Sequence, residues 1–280
     1  MDLQLAGKRA LVTGSSSGIG EGAARALAAE GVAVAVHGRD ETRTRAVADS
    51  IHAAGGTAVV AIGDLTDDDG AARVCSVVDD ELGGVDILFN NAGGGGTTRT
   101  TTTSATPAFL DLEPIDWLST YTGNVVTAVR MIRHFAPQMA EQRYGRIIMN
   151  ASAVATMPRD TMNDYSASKA AIVNLACGLA KALAGTGVTV NTVSPGLILT
   201  PQKLTGETWL HGFAASKGWD TTLPLEELDR LWAADRGIPS GCSGRVEHIA
   251  AVVSLLASPL GSFINGANIR VDGGQNQSVN

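Results

Sequence analysis

Short runs of apolar residues recur along the chain at 10–12, 32–37, 58–62, 87–90, 146–150, 188–193 and 267–271. They are too short for helices, and most are apolar at successive positions, which predicts strands buried on both faces. Between them lie longer stretches whose apolar positions return every three or four residues, at 21–30, 42–54, 67–82, 116–142, 165–183 and 247–257. Strand alternating with helix predicts an α/β fold, a doubly wound parallel sheet of seven strands flanked by helices. Right-handed crossovers would carry the carboxyl ends of the strands, and the loops after them, to one edge where a ligand binds. Residues 201–240 read as a mostly helical insertion, and the one biased stretch is the threonine-rich segment 97–106. We find no internal repeat and no interdomain linker.

With 280 residues and 44% hydrophobic side chains, the chain can bury a full core as a single domain over 1–280. A net charge of -7 without a Lys/Arg cluster leaves no electrostatic footprint for nucleic acid or an anionic membrane. No apolar stretch suits a membrane span, and the opening MDLQLAGKRA lacks the apolar core of a signal peptide. Cys75, Cys177 and Cys242 are odd in number and scattered, which suits reduced thiols and a cytoplasmic location. No metal-ligand spacing is present.

Chemistry concentrates in two places. The first apolar run leads into TGSSSGIG at 13–20 and then a helical pattern. A strand, a tight glycine turn and a helix amino end together form a pyrophosphate site, because free backbone N–H groups face the anion. Side chains at Gly14 or Gly18 would hold the phosphates off, and Gly20 lets helix and sheet approach. The second place is YSASK, where Tyr165 and Lys169 stand four apart and share a helix face. At a separation of ~5 Å and an effective dielectric of ~20, a lysine ammonium would stabilise a phenolate by roughly 3 kcal/mol, lowering its pKa by ~2 units. Taken alone, the pair reads more readily as an exposed helix face carrying a solvated lysine.

These marks, with Asp64 in GDL, NNAG at 90–93, Asn124, Ser152, and SPG at 194–196 followed by Thr200, resemble the short-chain dehydrogenase/reductase family. They fall in the family's order over nearly the whole chain, and Gly14-x3-Gly18-x-Gly20 argues against its extended branch. The resemblance implies a Rossmann-type fold and hydride transfer between a nicotinamide cofactor and a ketone or secondary alcohol. It implies Asn124, Ser152, Tyr165 and Lys169 as the catalytic set. Tyr165 would be acid or base, Ser152 would bind the substrate oxygen, and Asn124 would hold a water linking Lys169 to solvent. Cofactor contacts would come from Gly14, Ser16, Ser17, Gly18, Ile19, Gly20, Arg39, Asp64, Leu65, Asn91, Ala92, Gly93, Tyr165, Lys169, Pro195, Gly196, Ile198 and Thr200. Each has a plainer reading as a turn, cap or surface residue when taken singly.

Cofactor choice turns on the end of the second strand, where Gly38 stands at the family's usual acidic position and Arg39 follows. An acid would bind ribose hydroxyls and repel a 2'-phosphate, whereas Arg39 would pair with that phosphate. NADP(H) is therefore expected, with NAD(H) possible, since Asp40 partly neutralises Arg39 and Ser17 stands where some NADP-preferring relatives carry a cation. By the same resemblance, 201–240 would be a substrate lid. Its Trp209, Phe213, Trp219 and Trp232 would either clasp a substrate or pack on one another. The long segment after NNAG would rim the substrate mouth or lie solvated at the surface. A homotetramer is expected, with residues 275–280 near a subunit contact and a dimer as the alternative. A nucleotide-binding sensor without turnover, and a lyase or isomerase using the cofactor transiently, are the competing functional classes.

Overall fold

The computed structural model describes residues 1–94, 109, 112–159, 162–200 and 209–278. Seven strands form its main sheet: β1 (Arg9–Val12), β2 (Ala33–Gly38), β3 (Thr57–Ile62), β4 (Ile87–Asn90), β5 (Gly145–Asn150), β6 (Val188–Pro195) and β9 (Asn268–Val271). Their order is β3-β2-β1-β4-β5-β6-β9, every pairing parallel. All seven apolar runs are strands, 87–90 with the same bounds and the others with bounds shifted by one or two residues. A second, two-stranded sheet, β7 (Ile198–Leu199) with β8 (Gly244–Arg245), is too short to have left a pattern.

Successive side chains of a strand point to opposite faces, so each strand supplies two cores. Leu11, Ala35, Leu88, Ile147 and Val190 meet α3 (Asp68–Leu82), α5 (Thr127–Glu141) and α6 (Asn163–Ala182). Val12, Val34, Phe89, Ile148 and Val193 meet α1 (Gly18–Ala29), α2 (Glu41–Ala53) and α9 (Val246–Ala257). Phe89, Leu27 and Phe135 are essentially fully buried, each stabilising the fold by about 1.5–3 kcal/mol. The chain leaves β1 for one face and β4 for the other, so a crevice opens between their carboxyl ends. Thr13 N donates to Phe89 O across it at 3.0 Å.

The helix expected over 116–142 is not continuous. It divides into α4 (Pro114–Tyr121), a π-helical turn (Thr122–Val126) and α5. One residue is inserted without breaking the helix, a change that hydrophobic spacing does not register. Within the insertion, α7 (Trp209–Ser216) and α8 (Leu225–Asp235) build a small core of their own from Leu210, Ala214, Leu228, Trp232 and Ile238. Phe213 packs edge-on to Trp219 at 5.6 Å and to Trp232 at 6.3 Å, so these three aromatics pack on one another. The side chain of Trp209, and most of the threonine-rich segment, lie outside the described residues. Asp229 is buried on α8 and accepts from Ser243 N at 3.2 Å and from the Ser243 hydroxyl, tying the insertion to β8. No described helix is long and apolar enough to cross a membrane.

Candidate active site

The glycine turn is built by contacts that a side chain would destroy. Gly14 takes φ +64°, a left-handed conformation, and a Cβ on Gly20 would press into Gly14 O and lie 2.5 Å from Asn91 Nδ2. Ser17 occupies the N-cap of α1 without a side-chain bond to its first turn. The amino end of α1, with Gly18, Ile19 and Gly20, is therefore left to an anion from outside. The Ile19 side chain packs against the core, so what it offers a ligand is backbone. Thr200 stands over the turn, its methyl 3.4 Å from where a Gly18 Cβ would lie.

A cleft of about 480 Å³ runs from this turn across the crevice. One wall holds Ser16, Ser17, Arg39, Asp64 and Leu65, and the other Asn91, Ala92, Gly93 and Asn124. Leu65 has its side chain in the core and faces the cleft through its backbone. Arg39 is exposed and pairs loosely with Asp64 at 3.5 Å. Burial works to raise the Asp64 carboxyl, but bonds from Thr66 and the Arg39 charge outweigh it and hold the group below its ordinary range. A Cβ on Gly38 would collide with Thr44 Oγ1 and lie 2.8 Å from Ser16 Cβ. Glycine there is a steric requirement, and an acid could not be accommodated without movement.

His37 was read from the sequence merely as the end of a strand, yet it organises the turn. Its Nδ1 accepts from Gly14 N at 2.9 Å, which fixes the proton on Nε2, 3.1 Å from Gly63 O. Burial drives its pKa down to about 4, keeping the ring neutral as these two bonds require. Ser15 Oγ accepts from His37 N at 2.9 Å and donates to Val12 O at 2.7 Å.

Of the four residues expected to do chemistry, Asn124 lines this cleft, and hydrogen bonds connect Tyr165 and Lys169 to residues of its wall and Ser152 to Tyr165. Asn124, 3% exposed, sits in the π turn. Its Oδ1 accepts from Gly94 N at 3.1 Å and its Nδ2 reaches Gly94 O, Thr120 O and Ser168 Oγ at 3.1–3.2 Å. That amide clamps the start of the loop after NNAG onto α6. Ser168 Oγ in turn donates to Tyr165 O at 2.8 Å.

Lys169, 4% exposed, donates to Asn150 O at 2.7 Å, and Asn150 Nδ2 donates to Asn91 Oδ1 at 2.8 Å. Asn91 Nδ2 closes the chain on Thr13 O at 2.9 Å and Gly14 O at 3.1 Å. One path of hydrogen bonds thus joins the glycine turn to the buried ammonium. Burial lowers the Lys169 pKa to about 8, and its Nζ stands 5.6 Å from the centroid of the Tyr165 ring. The Tyr165 phenol is held above its ordinary value: burial pushes it up, and the side-chain hydrogen bond with Ser152 pulls the other way. This corrects the expected lowering by Lys169. Burial of the phenol sets the direction, and the ammonium itself donates to Asn150 O.

Pro195 ends β6 and Ile198 lies in β7, with Gly196 N bonded to Val271 O at 3.0 Å. These residues and Thr200 belong to the turn after β6, beyond the lining of the cleft. Sequence reasoning also missed Asp164, buried beside Tyr165, which accepts from Thr120 Oγ1 at 2.6 Å and fastens α4 to α6. Among the described residues no cluster of His, Cys, Asp and Glu could hold a metal.

Against known proteins, residues 8–209 match the family model described as short chain dehydrogenase. The chain is 36% identical to an uncharacterized oxidoreductase, YvaG, of Bacillus subtilis (strain 168), with 100% of both chains covered. It is 33% identical to the 3-oxoacyl-(acyl-carrier-protein) reductase FabG of Vibrio cholerae, covering 97% of this chain and 98% of that one. Among solved structures, the L-sorbose reductase of Gluconobacter frateurii complexed with NADPH and L-sorbose matches with a TM-score of 0.88 at 28% identity, covering 100% of each chain.

Proposed function

The chain belongs to the short-chain dehydrogenase/reductase family, and on that premise we propose that it is an NADP(H)-preferring oxidoreductase interconverting a ketone and a secondary alcohol. The observation that carries this reading is the placement of Tyr165, hydrogen-bonded to Ser152, beside the buried Lys169 that hydrogen bonds link to the glycine turn. The glycine turn, the uncapped end of α1 and the cleft fit a dinucleotide, with Arg39 toward a 2'-phosphate and no acid at Gly38 to repel it. The reductase complexed with NADPH and a relative titled an NADPH-dependent reductase support the same choice, with NAD(H) as a weaker cofactor.

When bound, the cofactor supplies or accepts the hydride at the carbonyl carbon. Tyr165 gives its phenolic proton to the carbonyl oxygen in reduction and takes it back in oxidation. Ser152 donates a hydrogen bond to the same oxygen as its negative charge develops. Lys169 holds a positive charge below that oxygen while its pKa near 8 keeps it protonated at neutral pH. Asn124 fixes Gly94, just past the NNAG turn, through two hydrogen bonds.

The same reading takes 1–280 as one domain with residues 201–240 as substrate lid, and places the protein in the cytoplasm. A homotetramer is supported by apolar side chains left exposed on two faces: Ile115, Leu118 and Tyr121 on α4, and Leu260 and Phe263 near β9. The test is a panel of ketones and alcohols, L-sorbose and a 3-oxoacyl thioester included, followed at the reduced cofactor's absorbance with NADPH, NADH, NADP+ and NAD+. Stoichiometric cofactor oxidation with ketone reduction is expected. Product formation without net cofactor change would instead make the protein a lyase or isomerase, and cofactor binding without product would make it a sensor.

A further inference from the structure

The last residues of a chain usually fray, yet Gln275 and Asn276 are only 7% and 6% exposed. They are held by a turn on Asp272, which accepts from Gly274 N and Asn276 N at 3.0 Å through its two carboxylate oxygens. Gly273 O accepts from Ser240 N at 3.0 Å, which attaches the same turn to the end of the 201–240 insertion. One residue before Asp272, Val271 O accepts from Gly196 N in the turn after β6. The Asn276 amide then reaches out of this turn and donates to Thr156 Oγ1.

Thr156 closes the short loop that begins at Ser152. The loop's own means of fixing Ser152 are weak. Ser152 Oγ has a contact with Val154 N at 3.4 Å, too long to set a hydroxyl direction. Its backbone is tied within the loop by Ala155 N to Ser152 O at 3.0 Å and Met157 N to Ala153 O at 3.0 Å. The tail thus touches three segments that converge on the reacting end of the site: the Ser152 loop, the turn after β6 and the end of the insertion.

We propose that the carboxyl-terminal tail is part of the working site, with Asn276 a positioning residue that holds loop 152–156, and through it the Ser152 hydroxyl, from behind by its bond to Thr156. This rests on the role given to Ser152 above. Asn276 touches neither substrate nor cofactor; it restricts the directions open to the hydroxyl that must meet the substrate oxygen. Loss of the bond therefore lowers kcat through geometry while the distant glycine turn keeps its affinity for cofactor.

The test compares wild type with Asn276→Ala, Thr156→Val, the double variant and Thr156→Ser. Three readouts are taken: kcat and KM with a ketone from the panel, the NADPH dissociation constant, and amide hydrogen exchange of residues 150–157. Asn276→Ala and Thr156→Val should each lower kcat about tenfold, as loosened orientation does. NADPH affinity should stay within about twofold, and exchange should rise in 150–157 but not in the strands. The double variant should be no worse than either single one, and Thr156→Ser, which keeps the hydroxyl, should retain most of the activity. Unchanged kcat in Asn276→Ala, multiplicative losses in the double variant, or unaltered exchange would each overturn the proposal. Should Asn276→Ala fail to fold, Thr156→Val decides by the same readouts. If wild type reduces no carbonyl, the functional reading fails, whereas the exchange arm separately decides whether the tail holds the loop.

Discussion

Replacing Arg39 with Ala isolates the group on which cofactor choice depends. In the structure the Arg39 side chain is 76% exposed and its contact with Asp64 is 3.5 Å long. An exposed pair of that kind contributes at most about 1 kcal/mol, so Arg39 gives up little in turning to a phosphate. In nearly water-like surroundings a cation ~4 Å from a phosphate gains about 1 kcal/mol per unit charge, or ~2 kcal/mol for a doubly charged group. Subtracting roughly 0.5 kcal/mol for the lost Asp64 contact leaves ~1.5 kcal/mol, about a tenfold change in affinity. Arg43 also lines the cleft, so part of the preference for the phosphate should survive. Fluorescence titration of wild type and Arg39→Ala with NADPH and NADH reads this directly. NADPH should weaken about tenfold, NADH should change less than about twofold, and the NADPH difference should shrink at ~0.5 M salt because the pair is exposed. Equal weakening of both cofactors, or none for NADPH, would refute the assignment of Arg39 to the 2'-phosphate.

Three further substitutions test the frame beneath the site. Gly20→Ala forces a methyl onto Gly14 O and Asn91 and should lower the Tm by about 2–10 °C, the effect of ~1–3 kcal/mol of overpacking; an unchanged melting curve would contradict the close approach. His37→Leu strands Gly14 N–H and Gly63 C=O, costing ~1–3 kcal/mol for each group left unpaired. Urea unfolding should register the loss and cofactor titration a weaker turn, whereas wild-type values in both would remove His37 from the turn. Lys169→Met tests burial of the ammonium through pH. Because the folded-state pKa of about 8 lies below the ordinary 10.5, the unfolded chain binds the extra proton between those values, and Lys169 adds stability as pH rises through that window. Tyr165 and Cys75 are shifted upward and act oppositely above their ordinary values. The difference between wild type and Lys169→Met therefore isolates the lysine. Stability relative to the variant should increase by up to ~1.4 kcal/mol per pH unit between about pH 8 and 10, and a parallel pair of curves would show the ammonium is not desolvated.

What the sequence revealed depended on how much of each feature is local. The strands were legible because most are buried on both faces, so that a run such as Ile87, Leu88 and Phe89 is apolar at successive positions. The glycine turn was legible because no other residue fits at Gly20. The π turn was invisible, since Thr122–Val126 is composed like any helix and the extra residue shows only in backbone bonding, where Thr127 N donates to Thr122 O. His37 and Asp164 were missed because their partners, Gly14, Gly63 and Thr120, lie 23, 26 and 44 positions away. The Asn276 to Thr156 bond spans 120 positions. The sign of the Tyr165 shift was misjudged for a related reason: helix spacing gives the nearness of a charge, whereas burial, which raises the phenol, is a property of the packed fold.

The most direct measurement of the central claim is turnover of Tyr165→Phe, with NADPH affinity measured on the same preparation. Removing one hydroxyl should lower kcat by about 10²–10⁴-fold, the range for a positioned general acid, while NADPH binds within about twofold of wild type. Wild-type turnover in that variant would contradict the assignment of proton transfer to Tyr165.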